Sequence, residues 1–203
     1  MYSRRDDGIV VVVKGSADPM AAPELMTVDE YFRTPETVLP AELRFGVLRV
    51  REAPTARHQS AIASFFLVMN AYVRARDIGR VWLSPLDVVL DRERSLVVQP
   101  DLMFIAKERE WIVDNHVNGA PDLVVEVLSP NSRIGTTEER LAWFVEYGVR
   151  ECWVVHLDRR DVTVITCANR RISARRTYTR RESIVSSIFA EFTEGLDEIL
   201  EEP

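Results

Sequence analysis

The sequence predicts an α/β domain, a mixed central β-sheet flanked by helices, and three observations carry that prediction. A long segment from about 55 to 78 repeats apolar residues at three- and four-residue steps, the period of an amphipathic helix. Three short runs rich in Val and Leu follow it. A second helical segment at about 136 to 147 then separates those runs from two more.

In chain order, residues 1–24 read as an N-terminal extension. Its one β-prone piece, "IVVVV", suits a sheet-edge strand, and residues 25–203 read as a single domain. In "MTVDEYFRTP", Thr27 and Glu30 have the spacing of a capping box, and Pro35 stops the helix they start. "AELRFGVLRVRE" alternates around a Gly, as an early strand or hairpin does. The long helix presents Ile62, Phe65, Phe66, Met69 and Val73 on one face, and Gly79 ends it. "RVWLSPLDVVL" and "LVVQPDLMFI" read as two strands joined by the charged turn "DRER", and "PDLVVEVL" as a third. The next helix closes at Gly148 and suits a crossover to a parallel strand. "ECWVVHL" and "DVTVITC" read as a hairpin around "DRRD", a register that sets Cys152 opposite Cys167. The tail after Ser187 reads as a short amphipathic helix with acidic ends.

Composition narrows the class. Of 203 residues, 46% are hydrophobic and 29% charged, the balance of a soluble globular chain. No apolar run nears the ~18 residues a membrane span needs. The N-terminus carries acidic residues where a signal peptide has its apolar core, so the expected location is cytoplasmic. Two cysteines make neither a zinc set nor a disulfide framework and read as small core residues. A net charge of −6 gives no global attraction to nucleic acid, so such binding needs a local basic surface. "NRRISARRTYTRR" offers one, with arginine pairs at 170/171, 175/176 and 180/181; the alternative is a solvated hairpin.

Two acids stand out. Asp101 follows Pro100 inside a strand, and Glu126 interrupts the run of Leu and Val in "DLVVEVL". Burying an unpaired charge costs several kcal/mol or more, so each needs a partner. If the two strands are neighbours, the carboxylates repel and raise each other's pKa, which a divalent cation relieves. Mg²⁺ suits one or two carboxylates plus water. Alternatively Asp101 caps a turn and Glu126 pairs with an arginine, Arg140 above all. Gln99, two residues before Asp101, shares its strand face. His58 starts the long helix near the same edge. Thr136 and Glu139 have capping-box spacing.

"VVQPDLMFI", "GAPDLVVEVLSPNSR" and "ERLAWFVEYGVRECWVV", in this order and at these distances, resemble the Uma2 family of endonucleases, which has the PD-(D/E)XK restriction-endonuclease-like fold. The resemblance reaches upstream through "MTVDEYFRTPE", "RHQSAIASFFLVMNAYV" and "DVVLDRERSLVVQPD". It implies a Mg²⁺- or Mn²⁺-dependent phosphodiesterase site acting on nucleic acid, DNA before RNA, in a chain that can form homodimers. Asp101, Glu126 and the Val127 carbonyl would hold the metal; beside them the residues themselves offer Gln99, which meets substrate or satisfies a polar neighbour, His58, which meets substrate or starts the helix, and Arg175 and Arg176 of the basic hairpin as substrate contacts. The sequence departs from the family pattern in "NSRIGTTEERLAWFVEYGV". Arg140 stands where the family has lysine, Thr136 where it has aspartate and Phe144 where it has tyrosine, while His156 replaces an aspartate and "RFGV" replaces the acidic "DGE". Arg140 keeps the positive charge of a phosphate-side electrophile but stays protonated and cannot act as a base. The competing implication is a catalytically degenerate nuclease fold that binds nucleic acid or protein.

Overall fold

The computed structural model describes residues 2–4, 10–12, 25–35, 40–51, 53–128, 134–179, 182–192 and 195–200. In chain order the elements are β1 (Tyr2–Arg4), β2 (Val10–Val12), α1 (Val28–Phe32), β3 (Ala41–Arg44), β4 (Val47–Val50), α2 (Ala56–Arg76), β5 (Gly79–Leu83), β6 (Val88–Asp91), β7 (Leu96–Val98) and β8 (Leu102–Ala106). A 3₁₀ turn (Lys107–Ile112) leads to β9 (Val117–Asn118), β10 (Leu123–Leu128), α3 (Ile134–Tyr147), β11 (Glu151–His156), β12 (Asp161–Ala168), β13 (Arg171–Tyr178) and α4 (Leu196–Ile199).

These strands form two sheets rather than one. The core sheet runs β13-β12-β11-β10-β8-β5, and the second runs β1-β2-β4-β3-β7-β6-β9. The two runs expected as single strands each divide between the sheets. β5 and β8 pair in the core sheet, β6 and β7 pair in the second, and Pro85 and Pro100 lie at the crossings. A proline has no N–H to give a ladder, so a strand that meets one stops pairing there. The break matters functionally: Gln99, Pro100 and Asp101 lie between β7 and β8, so the alternation that would set Gln99 and Asp101 on one face does not apply.

α2 and the C-terminal segment cover one face of the core sheet, where Phe65, Met69 and Val73 meet Leu123, Val125, Trp153 and Phe189. α3 and the second sheet cover the other, where Leu141 and Phe144 meet Val88, Val98, Met103, Val124 and Val154. Parallel pairing of β10 with β11 makes α3 a crossover helix, as its position in the sequence predicts. α1 closes the far side of the second sheet on Leu43, Val89 and Val97. Its capping box is formed: Glu30 N–H donates to Thr27 Oγ1 at 3.2 Å and Thr27 N–H to Glu30 Oε2 at 2.9 Å.

Several expectations change in detail. α2 ends at Asp77, which takes the left-handed conformation (φ 51°), while Gly79 opens β5. Gly79 is needed there for space, because a Cβ would stand 2.2 Å from the Ile105 carbonyl oxygen. α3 begins at Ile134, so Thr136 falls inside its first turn and is not the N-cap. β11 and β12 pair Glu151 with Thr166 and Cys152 with Ile165. Cys152 and Cys167, both free and buried, are therefore displaced along the ladder rather than opposite. The C-terminal helix is one turn long. Val10–Val12 pairs with β4, adding to the sheet edge. Among the described residues no helix is long and apolar enough to cross a membrane.

Candidate active site

β10 places Glu126 on the α3 face of the core sheet, the side that also receives Val124 and Val154. β3 belongs to the second sheet. Its Leu43 packs toward α1, so Glu42, one residue earlier, points the opposite way, into the space beneath α3. Arg140 descends from α3 between the two acids. Its Nε donates to Glu126 Oε1 at 2.8 Å, and Nη1 donates to Glu42 Oε1 at 2.6 Å. All three side chains are buried, Glu42 with no exposure at all. Phe144, one turn along α3, lies under the guanidinium with its centroid 5.5 Å from Cζ.

Glu42 is the better neutralised of the two. Its Oε2 accepts from Arg44 Nη2 at 2.8 Å, and its Oε1 accepts the Gln99 backbone N–H at 2.8 Å. Burial works against ionisation, but Arg140, Arg44 and Arg51 overcome it and hold the carboxyl down at about 2. Among the described residues, Glu126 has only Arg140 as a hydrogen-bonded partner. Burial, reinforced by the negative charge of Asp101, pushes its carboxyl up to about 7 in spite of Arg140 and Arg51. Burial alone would lower the arginine's pKa, and Glu126 and Glu42 more than reverse that, so Arg140 is a permanent cation.

Asp101 stands where β8 has not yet begun and takes over its pairing. The Val127 N–H donates to Asp101 Oδ2 at 2.7 Å. His58 completes this edge from the first turn of α2, where Thr55 caps the helix by accepting the His58 N–H. The ring Nε2 lies 3.0 Å from the Val127 carbonyl oxygen and 3.4 Å from Asp101 Oδ2, both acceptors, so Nε2 carries a hydrogen. Burial disfavours the imidazolium, yet Asp101 and the Val127 carbonyl outweigh it and raise the His58 pKa.

The structure thus brings Asp101, Glu126, Val127, Arg140 and His58 together. Gln99 joins through its backbone, while its side chain donates to Asp87 Oδ1 at 2.9 Å. Arg175 and Arg176 stand apart on β13, an exposed edge strand. As successive strand residues they point to opposite faces: Arg175 toward Glu138 of α3, Arg176 toward Tyr178 and Glu182. Arg180 and Arg181 lie outside the described residues. His156 meets Asp161 at the β11–β12 turn, opposite Leu128 in the ladder. Sequence reasoning missed Glu42. Its signal was the one that exposed Glu126, an acid between apolar neighbours, here Ala41 and Leu43.

A divalent cation fits this donor set in chemistry. Asp101 Oδ1 and Glu126 Oε2 make no hydrogen bond among the described residues, while the other oxygen of each is engaged. Two such carboxylate oxygens with water are what Mg²⁺ or Mn²⁺ takes. Glu126 also stays hard to ionise beside Arg140, as a carboxylate short of positive charge does. No three His, Cys, Asp or Glu side chains among the described residues form a ready cage.

The two-sheet α/β core, with Glu126 on β10 and Asp101 just before β8, has a nuclease fold of the restriction-endonuclease-like class. A solved structure titled as a "putative nuclease belonging to DUF820" from Anabaena variabilis ATCC 29413 superposes with a TM-score of 0.72 over 86% of this chain and 97% of its own, at 20% identity. The chain belongs to the Uma2 family, described as "Putative restriction endonuclease", whose family model matches residues 28–197. No curated protein matches the sequence.

Proposed function

We propose that the protein is a Mg²⁺- or Mn²⁺-dependent endonuclease that hydrolyses phosphodiester bonds of DNA, with Asp101 and Glu126 as the cation's carboxylates and the Val127 carbonyl beside them. The observation that carries this reading is the geometry of the two acids: Asp101, bonded by the Val127 N–H, and Glu126, bonded by Arg140, each keep one carboxylate oxygen without a hydrogen bond among the described residues. The family description supplies the substrate class. A bound divalent cation supplies Lewis acidity to the phosphate and lowers the pKa of a bound water.

The chain's own residues do the rest. The Val127 N–H and His58 fix the Asp101 carboxylate, so one oxygen stays turned to the site. Arg140, held at two of its nitrogens, keeps a positive charge at a set place against the charge that develops on the phosphate. It cannot remove a proton from water, so deprotonation falls to another group or to solvent.

The Arg140–Glu126 contact also favours a second reading, in which the ion pair replaces the metal and the domain binds nucleic acid without cutting it. Calorimetric titration with Mn²⁺ separates the two. Binding lost in both Asp101→Asn and Glu126→Gln supports the first reading. Absence of binding at millimolar Mn²⁺, with and without a DNA duplex, supports the second. In that case Arg140→Lys with Thr136→Asp, which restores the family residues, should create cleavage that the parent lacks.

A further inference from the structure

Arg140 carries one positive charge, and the fold divides it between two sheets. Nε meets Glu126 of the core sheet at 2.8 Å, and Nη1 meets Glu42 of the second sheet at 2.6 Å. Glu42 is itself held from two further directions, by the Gln99 backbone N–H at 2.8 Å and by Arg44 Nη2 at 2.8 Å. It is an anchored acceptor, with no exposure and no freedom to follow the arginine. A guanidinium is a rigid planar fork, so anchoring Nη1 settles where Nε and Nη2 lie. Nη2 is buried and bonds nothing among the described residues.

An arginine against a metal-binding carboxylate is an electrostatic problem. Its charge repels a dication and competes for the carboxylate lone pairs. A lysine has one compact charge to place, whereas the fork of Arg140 reaches two carboxylates at once. Glu42, which also meets Arg44 at 2.8 Å, offsets part of the charge of Arg140, so that Glu126 and Asp101 keep negative charge for another cation.

We propose that Glu42 is a positioning residue whose buried carboxylate takes up the charge of Arg140 and so lets Glu126 and Asp101 accept a divalent cation beside an arginine. The inference rests on the cation-dependent reading above and goes beyond it.

Mn²⁺ affinity of the full chain, measured by calorimetry, tests it without any assay of cleavage. Glu42→Gln should weaken Mn²⁺ binding about tenfold, because the whole charge of Arg140 then faces the cation. Arg140→Gln should bind Mn²⁺ at least as tightly as the parent. In the Arg140→Gln background, adding Glu42→Gln should change the affinity by less than about threefold, since the charge it balanced is gone. An equal loss in both backgrounds would mark Glu42 as merely structural and overturn the proposal. So would an unchanged affinity in Glu42→Gln. If Glu42→Gln does not fold, Arg140→Gln decides alone: equal or tighter binding supports the proposal, and weaker binding overturns it. A parent that binds no Mn²⁺, or binds it indifferently to Glu126→Gln, removes the cation-dependent reading and this inference with it.

Discussion

Glu151 and Glu126 lie on adjacent strands of one sheet, both buried, and the protein neutralises them by different means. Glu151 faces the α2 side and, among the described residues, uses neutral donors only. Trp153 Nε1 at 2.7 Å and Ser186 Oγ at 2.6 Å serve Oε1, while Ser187 N–H at 2.6 Å and Oγ at 2.5 Å serve Oε2. Both of its oxygens are engaged. Glu126 faces α3 and, among the described residues, is served at Oε1 alone, by an arginine it shares. A carboxylate saturated by four hydrogen bonds is closed to further ligands and serves as a structural clamp, here tying the C-terminal segment to the sheet. A carboxylate with a free oxygen and too little counter-charge is open to chemistry.

The contrast is broken most severely at the closed site. Glu151→Leu keeps the bulk and removes the acceptor of four donors, each worth about 1–3 kcal/mol when left buried and unpaired. The serines can turn to water, so we expect a loss of about 4 kcal/mol in denaturant unfolding, with faster amide exchange over residues 186–200 and unchanged Mn²⁺ binding by the folded fraction. Arg140→Met comes next. It strands two buried carboxylates and should cost about 3 kcal/mol at pH 8, the scale for removing one partner of a buried pair. At pH 5 the loss should shrink, because Glu126 can then take a proton.

The two acids of the open site also oppose each other in pH dependence. With its carboxyl raised to about 7, Glu126 binds its proton more tightly folded than unfolded. Its contribution to stability is full below the unfolded carboxylate range and is lost as pH rises toward 7. Glu42, held at about 2, contributes in full above that range and loses its contribution as pH falls toward 2. Urea midpoints in metal-free buffer should therefore decline from pH 5 to 8, and Glu126→Gln should reduce that decline, leaving the part that His58, whose raised pKa acts in the same direction, contributes. A flat parent profile would mean that Glu126 is ionised throughout and that Arg140 alone suffices for it.

Local signals in the sequence account for much of this architecture. The period of α2, the capping box at Thr27 and the crossover through α3 are written in neighbouring residues, and so are the two acids in apolar strands. The division into two sheets is not, because "LVVQPDLMFI" reads the same whether its halves share a sheet or change sheets at Pro100. Glu42 carries the same local signal as Glu126, an acid between Ala41 and Leu43, but nothing local shows its role. Its partner Arg140 lies 98 positions away and meets it only because the second sheet folds over the first. The cysteine register failed on a two-residue difference at the Leu157–Arg160 turn, which alternation alone cannot set.

The smallest effect expected separates the two faces once more, at the edge strand. Arg175 lies on the α3 side with the open carboxylate, and Arg176 on the α2 side with the closed one. Both are exposed, so replacing either by alanine should change stability by less than about 0.5 kcal/mol. If DNA approaches the Glu126 side, Arg175 meets its phosphates and Arg176 does not. Arg175→Ala should then weaken binding of a short duplex several-fold and reduce the salt slope by about 1, the share of one phosphate contact. Arg176→Ala should leave both unchanged in fluorescence anisotropy across a salt series. Equal losses in the two variants would instead mean that DNA grips the strand edge itself, and that the open carboxylate lies outside its path.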